Sequence, residues 1–190
     1  MRQLVAPIAL AATLAGCGIN SVPTSEENAK ARWADVQAAY QRRADLVPNL
    51  VATVKGAARA ENATLTNVIN ARARATQLQA TPNDIGDPAK IQQYAAAQTA
   101  LSVALRPLQE AYPQLQSQAN FSTLLQQLEG TENRINITVR DYNQAVQEYN
   151  TRIRTFPDAI GAKVIHGAKP LTPFQAVTPG AERAPTVSFD

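Results

Sequence analysis

The chain has 190 residues and a net charge of +3, with 45% hydrophobic, 5% aromatic and 17% charged residues. This length suits one domain of ordinary size rather than two independent cores. A single histidine and a single cysteine leave too few side chains for most zinc sites or nucleophile–base pairs, so we expect no metal and no cofactor.

Residues 1–16 have the pattern of a bacterial signal peptide. Arg2 precedes an apolar run over residues 4–14 that is too short to cross a bilayer, and small residues stand directly before Cys17. The motif Leu-Ala-Gly-Cys over residues 14–17 resembles the lipobox of bacterial lipoproteins, in which the cysteine is acylated and becomes the first mature residue. We predict lipidation of Cys17 and a short tether over residues 17–23. The alternative is an uncleaved membrane anchor or a buried, unmodified cysteine.

Lipidation would place the domain outside the cytoplasm, on the cell membrane or the outer membrane. Gly18 favours the outer membrane, because an aspartate there would resemble an inner-membrane retention signal. Loss of Arg2 leaves 17 basic and 15 acidic residues, a net charge of +2. The basic residues are scattered and not interleaved with aromatics, so we expect no nucleic-acid partner. We also predict no small-molecule substrate. The absence of a second cysteine excludes disulfides within the chain.

Residues 24–160 predict an all-α fold. Thr24 and Glu27 have capping-box spacing and predict a helix start at Thr24. Apolar residues continue at helical spacing across Pro48, so residues 24–79 form either two helices or one helix kinked at Pro48. We favour a break, because an unbroken helix of about 55 residues would be about 80 Å long, and no other segment could pair with all of it.

The second half of this domain predicts two more helices after a loop over residues 81–88. Pro88 suits the first turn of one helix, in which Pro107 predicts a bend, and Asn120 is a candidate cap for the last helix. That last helix, about 35 residues long, has a heptad seam. Its apolar positions are Leu128, Ile135, Val139, Tyr142, Val146, Tyr149, Ile153 and Phe156. Together the segments predict an antiparallel four-helix bundle.

Residues 161–190 predict a Pro-rich extended tail. Prolines at 170, 173, 179 and 185 exclude a continuous helix there, and isolated apolar residues need a surface that covers them. We predict that Phe174 and Phe189 anchor this tail, either on the bundle itself or on a partner protein.

Several motifs resemble the LemA family. The sequence Gln-Arg-Arg-Ala-Asp-Leu-Val-Pro-Asn-Leu-Val over residues 41–51 is similar to the family's signature, and 131–135 with 142–157 is similar to its last helix. The resemblance covers residues 24–189. It implies a helical-bundle domain in the bacterial envelope, outside the cytoplasm, for which no enzymatic activity is established. A lipobox here replaces the family's commoner N-terminal transmembrane helix.

Two polar clusters are candidate sites. The first surrounds Pro48 and the second lies on the last helix; their members are Arg42, Arg43, Asp45 and Asn49, and Glu132, Asn133 and Arg134. If the two clusters meet in the bundle, each charge finds a partner, and a network such as Arg43 with Glu132 would fix the helix register, because buried charges are tolerated when they are paired. The alternatives are a catalytic carboxylate pair and an anion site at Arg42 and Arg43.

Asparagines repeat every seven residues on the last helix. They are Asn136, Asn143 and Asn150, and tyrosines precede the last two at Tyr142 and Tyr149. Such a stripe is either a recognition surface or a flank between helices.

Together these features predict a lipid-anchored envelope protein that acts as a protein–protein interaction or scaffolding module without catalysis. Its partners would be the membrane, through the lipid, and an unidentified envelope protein. The alternative is an enzyme or enzyme subunit acting on an envelope polymer. That alternative requires Asp45, Glu61 or Glu132 to open into a deep cleft.

Overall fold

The computed structural model describes residues 5–58, 63–108, 112–115 and 117–175, with side chains at the N-terminal end from Asn20 onward. These residues form helices and no strand, which confirms the all-α prediction for the described part of the chain. The helices are α1 (Val5–Ala58), α2 (Ala63–Gln77), α3 (Pro88–Leu105), α4 (Ala119–Arg152) and α5 (Asp158–Val164), with a 3-10 turn at Pro113–Leu115.

Helix α1 is continuous over 54 residues and passes through both positions at which the sequence predicts an interruption. The predicted start at Thr24 is wrong: its hydroxyl donates to the carbonyl of Asn20 at 2.7 Å, within the helix. The predicted tether is helical too, and Val22 is only 1% exposed. The packed part of the chain therefore begins earlier than residue 24. The side chains of the predicted signal peptide and of Cys17 lie outside the described ones.

The break favoured at Pro48 is also wrong, because several elements share the length of α1. Its buried residues from Val22 to Tyr40 belong to one hydrophobic cluster, together with the C-terminal half of α4. Those from Val47 to Val54 belong to a second cluster, together with α2, the end of α3 and the start of α4. No single partner has to span the whole helix.

The starts of α3 and α4 are fixed in different ways, one by a capping side chain and the other by a preceding turn. Pro88 is in the first turn of α3, as predicted, and the Asp87 side chain caps that helix by accepting from the Ala89 N–H at 2.9 Å. Asn120 is not the cap of α4, because the helix begins at Ala119 after the turn in which the Gln118 N–H donates to the Leu115 carbonyl. Leu115 is buried, which fixes that turn.

The seam of α4 is buried at Ile135, Tyr142, Val146 and Tyr149. The prediction is wrong at its last position, since Phe156 is 76% exposed. The helix ends at Arg152, and the chain turns before Phe156 can reach the helix face.

The region after α4 contains one more helix than the sequence predicts. Helix α5 crosses the boundary drawn at residue 161, and Gly161 and Ala162 are buried. Residues 167–175 then run without helix back along α4; we call them the docked segment. Phe189 lies outside the described residues. No helix within the described ranges is both long and apolar enough to cross a membrane.

Candidate functional site

A polar layer separates the two hydrophobic clusters. It consists of Arg43, Gln98, Ser102 and Glu132, contributed by α1, α3 and α4. On α1, Arg43 stands between Tyr40 of the first cluster and Val47 of the second. The layer therefore crosses the three helices at the boundary between the two clusters.

Arg43 is the centre of this layer and is 2% exposed. Its Nη1 donates to Ser102 and, at 3.1 Å, to Glu132, while its Nη2 donates to the Gln98 carbonyl at 2.8 Å and to Gln98 Oε1 at 3.1 Å. The guanidinium also lies 4.9 Å from the centre of the Tyr40 ring. The predicted pair of Arg43 with Glu132 is thus present.

Pro48 is exposed and leaves the carbonyl of Ala44 without its helical donor. Arg72 of α2 supplies a replacement, because its Nε donates to that carbonyl at 2.8 Å. This bond explains how α1 continues through a proline, and it ties α2 to α1. Asn49 beside the proline is exposed.

The predicted anion site at Arg42 and Arg43 is not formed. Arg43 points into the interior, whereas Arg42 is exposed and lines a groove of about 610 Å³ with Arg134 and Asp35. Because Arg43 is buried, the two arginines do not form one exposed site. Asn133 is exposed.

The carboxylates proposed for catalysis have other partners. Asp45 is exposed and accepts from Gln41 at 2.7 Å, and Glu132 is paired with Arg43. Glu61 lies outside the described residues. Among those that are described, no group of three or more His, Cys, Asp or Glu side chains could hold a metal ion.

Asn143 and Asn150 each hold the docked segment with two hydrogen bonds. Asn143 Nδ2 donates to the Phe174 carbonyl at 2.9 Å, and its Oδ1 accepts from the Phe174 N–H at 2.7 Å. Asn150 binds the backbone of Leu171 in the same way, with both distances 2.8 Å. Residues seven apart on a helix are separated by about 10.5 Å, and three residues of extended chain span about 10 Å. The heptad period of the asparagines therefore fits a three-residue period of the segment.

The buried tyrosines of α4 support this arrangement. The Tyr142 hydroxyl donates to the carbonyl of Thr172 at 2.7 Å, and burial raises the pKa of Tyr142 above its usual value. Burial likewise raises the pKa of Tyr149, which is 1% exposed. Both hydroxyls stay neutral at physiological pH, so Tyr142 remains a donor to the segment. Asn136, the third member of the stripe, is exposed.

Phe174 carries the docked segment into an aromatic cluster. The side chain is 3% exposed, and its ring centre lies 5.9 Å from that of Trp33, 5.8 Å from Tyr40 and 6.4 Å from Tyr94. Tyr142 completes the cluster, 4.9 Å from Trp33. Burial raises the pKa of Tyr94 to about 12. The segment is therefore part of the core rather than a surface addition.

Polar side chains line an open groove along the outer face of α4. One part has a volume of about 910 Å³ and is lined by residues between Arg140 and Asp158. A second part, about 620 Å³, lies beside the docked segment and includes Pro173 and Gln175. The two parts share Gln147. We call them together the α4 groove.

The sequence model of the LemA family matches residues 32–189, which include the polar layer, the Pro48 region and the asparagine stripe. This chain belongs to the LemA family. A comparison with curated proteins finds no match.

Three residues of this LemA protein that hold the polar layer and the Pro48 region were not predicted from the sequence: Gln98, Ser102 and Arg72. Gln98 occupies a core position of α3, between Tyr94 and Leu101. A polar residue at that helical spacing could have indicated a buried hydrogen-bond partner. Arg72 gave no comparable signal, because its bond to the Ala44 carbonyl depends on how α2 lies against α1.

Proposed function

We propose that this LemA protein is a lipid-anchored protein of the bacterial cell envelope that acts as an interaction or scaffolding module without catalysis. In this proposal α1–α4 form an antiparallel four-helix bundle, and a Pro-rich tail follows α5. The domain lies outside the cytoplasm, on the cell membrane or the outer membrane, and binds another envelope protein.

The anchor is supported by the order of residues before Cys17. A basic residue, an apolar run and small residues precede the chain's only cysteine. Two or three acyl chains would hold the protein stably, because a single chain binds membranes only marginally.

The interaction role is supported by the way in which α4 holds a polypeptide. Asn143 and Asn150 bind the backbone of the docked segment and do not depend on its side chains. The α4 groove continues beside that segment, open and lined by polar groups such as Gln147 and Thr151. An open groove suits a polypeptide better than a small molecule, which needs an enclosed pocket.

A photo-crosslinking residue in place of Gln147 tests this role in intact envelopes. Gln147 is exposed and belongs to both parts of the groove, whereas Gln126 is exposed on the same helix but lies outside it. We expect a discrete adduct with one envelope protein from position 147 and several-fold less from position 126. Equal labelling from both positions, or none from position 147, would contradict an interaction through the groove.

A further inference from the structure

Exposed apolar side chains gather around α5. Phe156 is 76% exposed, Ile160 59%, Val164 77% and Ile165 56%. Ile160 and Val164 are four residues apart in α5 and share one side of it, whereas the small residues Gly161 and Ala162 are buried. Phe156 lies in the turn before the helix, and Ile165 directly follows it. An ordinary surface helix buries its large apolar residues, and α5 does the reverse. We call these four residues the α5 patch.

The α5 patch lies at the end of the molecule where Cys17 stands. Arg43 of α1 contacts Glu132 of α4, and Trp33, ten residues earlier in α1, contacts Tyr142, ten residues later in α4. The two helices therefore run in opposite directions, and the part of α1 near Val22 lies level with the end of α4.

Helix α5 packs against that same part of α1. Ala162 shares the first hydrophobic cluster with Val22. Val22 follows Cys17 by five residues, and the backbone between them is helical. Five helical residues span about 8 Å, which is less than the thickness of one helix with its side chains. An acyl anchor at Cys17 would leave no room for the domain to stand clear of the bilayer.

The charges around the patch favour an anionic surface. Residues 152–169 contain four arginine or lysine residues and one acidic residue, Asp158. Arg154, Lys163 and Lys169 are exposed, and Arg152 lies 3.6 Å from Asp158. Basic side chains next to a membrane are attracted to anionic lipid headgroups.

The nearby acidic residues of α1 offset this charge only in part, because Glu26, Glu27 and Lys30 together carry −1 against +3 for residues 152–169. Glu26 and Glu27 both pair with Lys30, at 2.9 and 2.8 Å. The face around α5 therefore keeps its basic character, next to a cluster of exposed apolar side chains.

We propose that the α5 patch docks into the headgroup region of the bilayer that holds the acyl chains of Cys17. Amphipathic surfaces of this kind bury their apolar side chains at the boundary of headgroups and acyl chains. The inference rests on the proposed lipid anchor, which keeps the patch at high local concentration beside the membrane, so that modest intrinsic affinity suffices. Docking would fix the orientation of the domain on the membrane.

Fluorophores at single cysteines test this proposal in the full, lipidated protein. Because Cys17 is the only cysteine and would be acylated, Val164→Cys gives one labelling site. Val103→Cys is the matched control, an exposed valine at 49% on α3 in the other half of the molecule. The protein is reconstituted into phosphatidylethanolamine and phosphatidylglycerol vesicles with brominated acyl chains. We expect several-fold stronger quenching at position 164 than at 103, and the same at Ile160→Cys.

Equal quenching at positions 164 and 103 would overturn the proposal. So would a label at 164 that is shielded from both the bromolipid and aqueous iodide, because protein would then cover the patch. The intact mass of the same sample separates the two claims: a chain without acyl mass contradicts the proposed anchor, whereas an acylated chain with an unquenched label contradicts only the docking.

Discussion

Arg43 bonds mainly to neutral acceptors in the interior. Its charge is buried, whereas the Glu132 side chain is 47% exposed, so water screens the ion pair. Gln98 contributes both its carbonyl and its side-chain oxygen, and its Nε2 donates to the Ala75 carbonyl at 3.1 Å. The polar layer thus connects α1, α2, α3 and α4 through buried groups that are hydrogen-bonded to one another.

We expect the bonds of Arg43 to Gln98 to contribute more to the free energy of unfolding than its ion pair with Glu132. Arg43→Met leaves the buried oxygen of Gln98 without a donor, and we expect the free energy of unfolding to fall by about 1–3 kcal/mol. Glu132→Gln removes a half-exposed charge, and we expect a loss below about 1 kcal/mol. Urea unfolding of both variants measures the difference. Equal losses would show that the ion pair, rather than the neutral acceptors, holds the layer.

At the scale of elements, α1 depends on a bond from another helix to pass through Pro48. The Ala44 carbonyl would otherwise be unpaired in a partly buried place, and Arg72 of α2 provides the donor. A sequence shows that a proline removes an N–H, but it does not show whether a neighbouring helix replaces that donor. This explains why a break was predicted at Pro48 and a continuous helix is found.

A double-mutant cycle tests the role of Arg72. In the wild-type chain, Arg72→Met should lower the free energy of unfolding by about 1–2 kcal/mol, because the carbonyl of Ala44 loses its donor. Pro48→Ala restores the helical N–H, so the same substitution should cost almost nothing in that background. Urea unfolding of the four proteins gives the coupling. An equal cost in both backgrounds would contradict this account.

The docked segment depends on two asparagines of one stripe. We expect Asn143→Ala and Asn150→Ala each to lower the free energy of unfolding by about 1–3 kcal/mol, since each removes two hydrogen bonds. Amide hydrogen exchange should quicken at Phe174 and Leu171 respectively. Asn136→Ala is the control, because Asn136 is exposed and makes no hydrogen bond to residues 167–175. Unchanged exchange at Phe174 in Asn143→Ala would contradict the assignment.

At the scale of the whole molecule, periodic patterns were predictable and long-range polar bonds mostly were not. The α4 seam and the start of α3 follow from spacing and capping within one segment. The pair of Arg43 with Glu132 was predictable because a charge at a core position must find a partner. Helix α5 was missed because seven residues are too few to show a helical repeat and its buried residues, Gly161 and Ala162, are small.

The membrane anchor at Cys17 is the central claim, and the intact mass of the protein purified from bacterial membranes tests it most directly. We predict a chain that begins at Cys17 and carries the added mass of two or three acyl chains, and a Cys17→Ser variant that keeps residues 1–16 and gains no acyl mass. A wild-type chain that begins elsewhere, or one in which Cys17 is unmodified, would contradict the account.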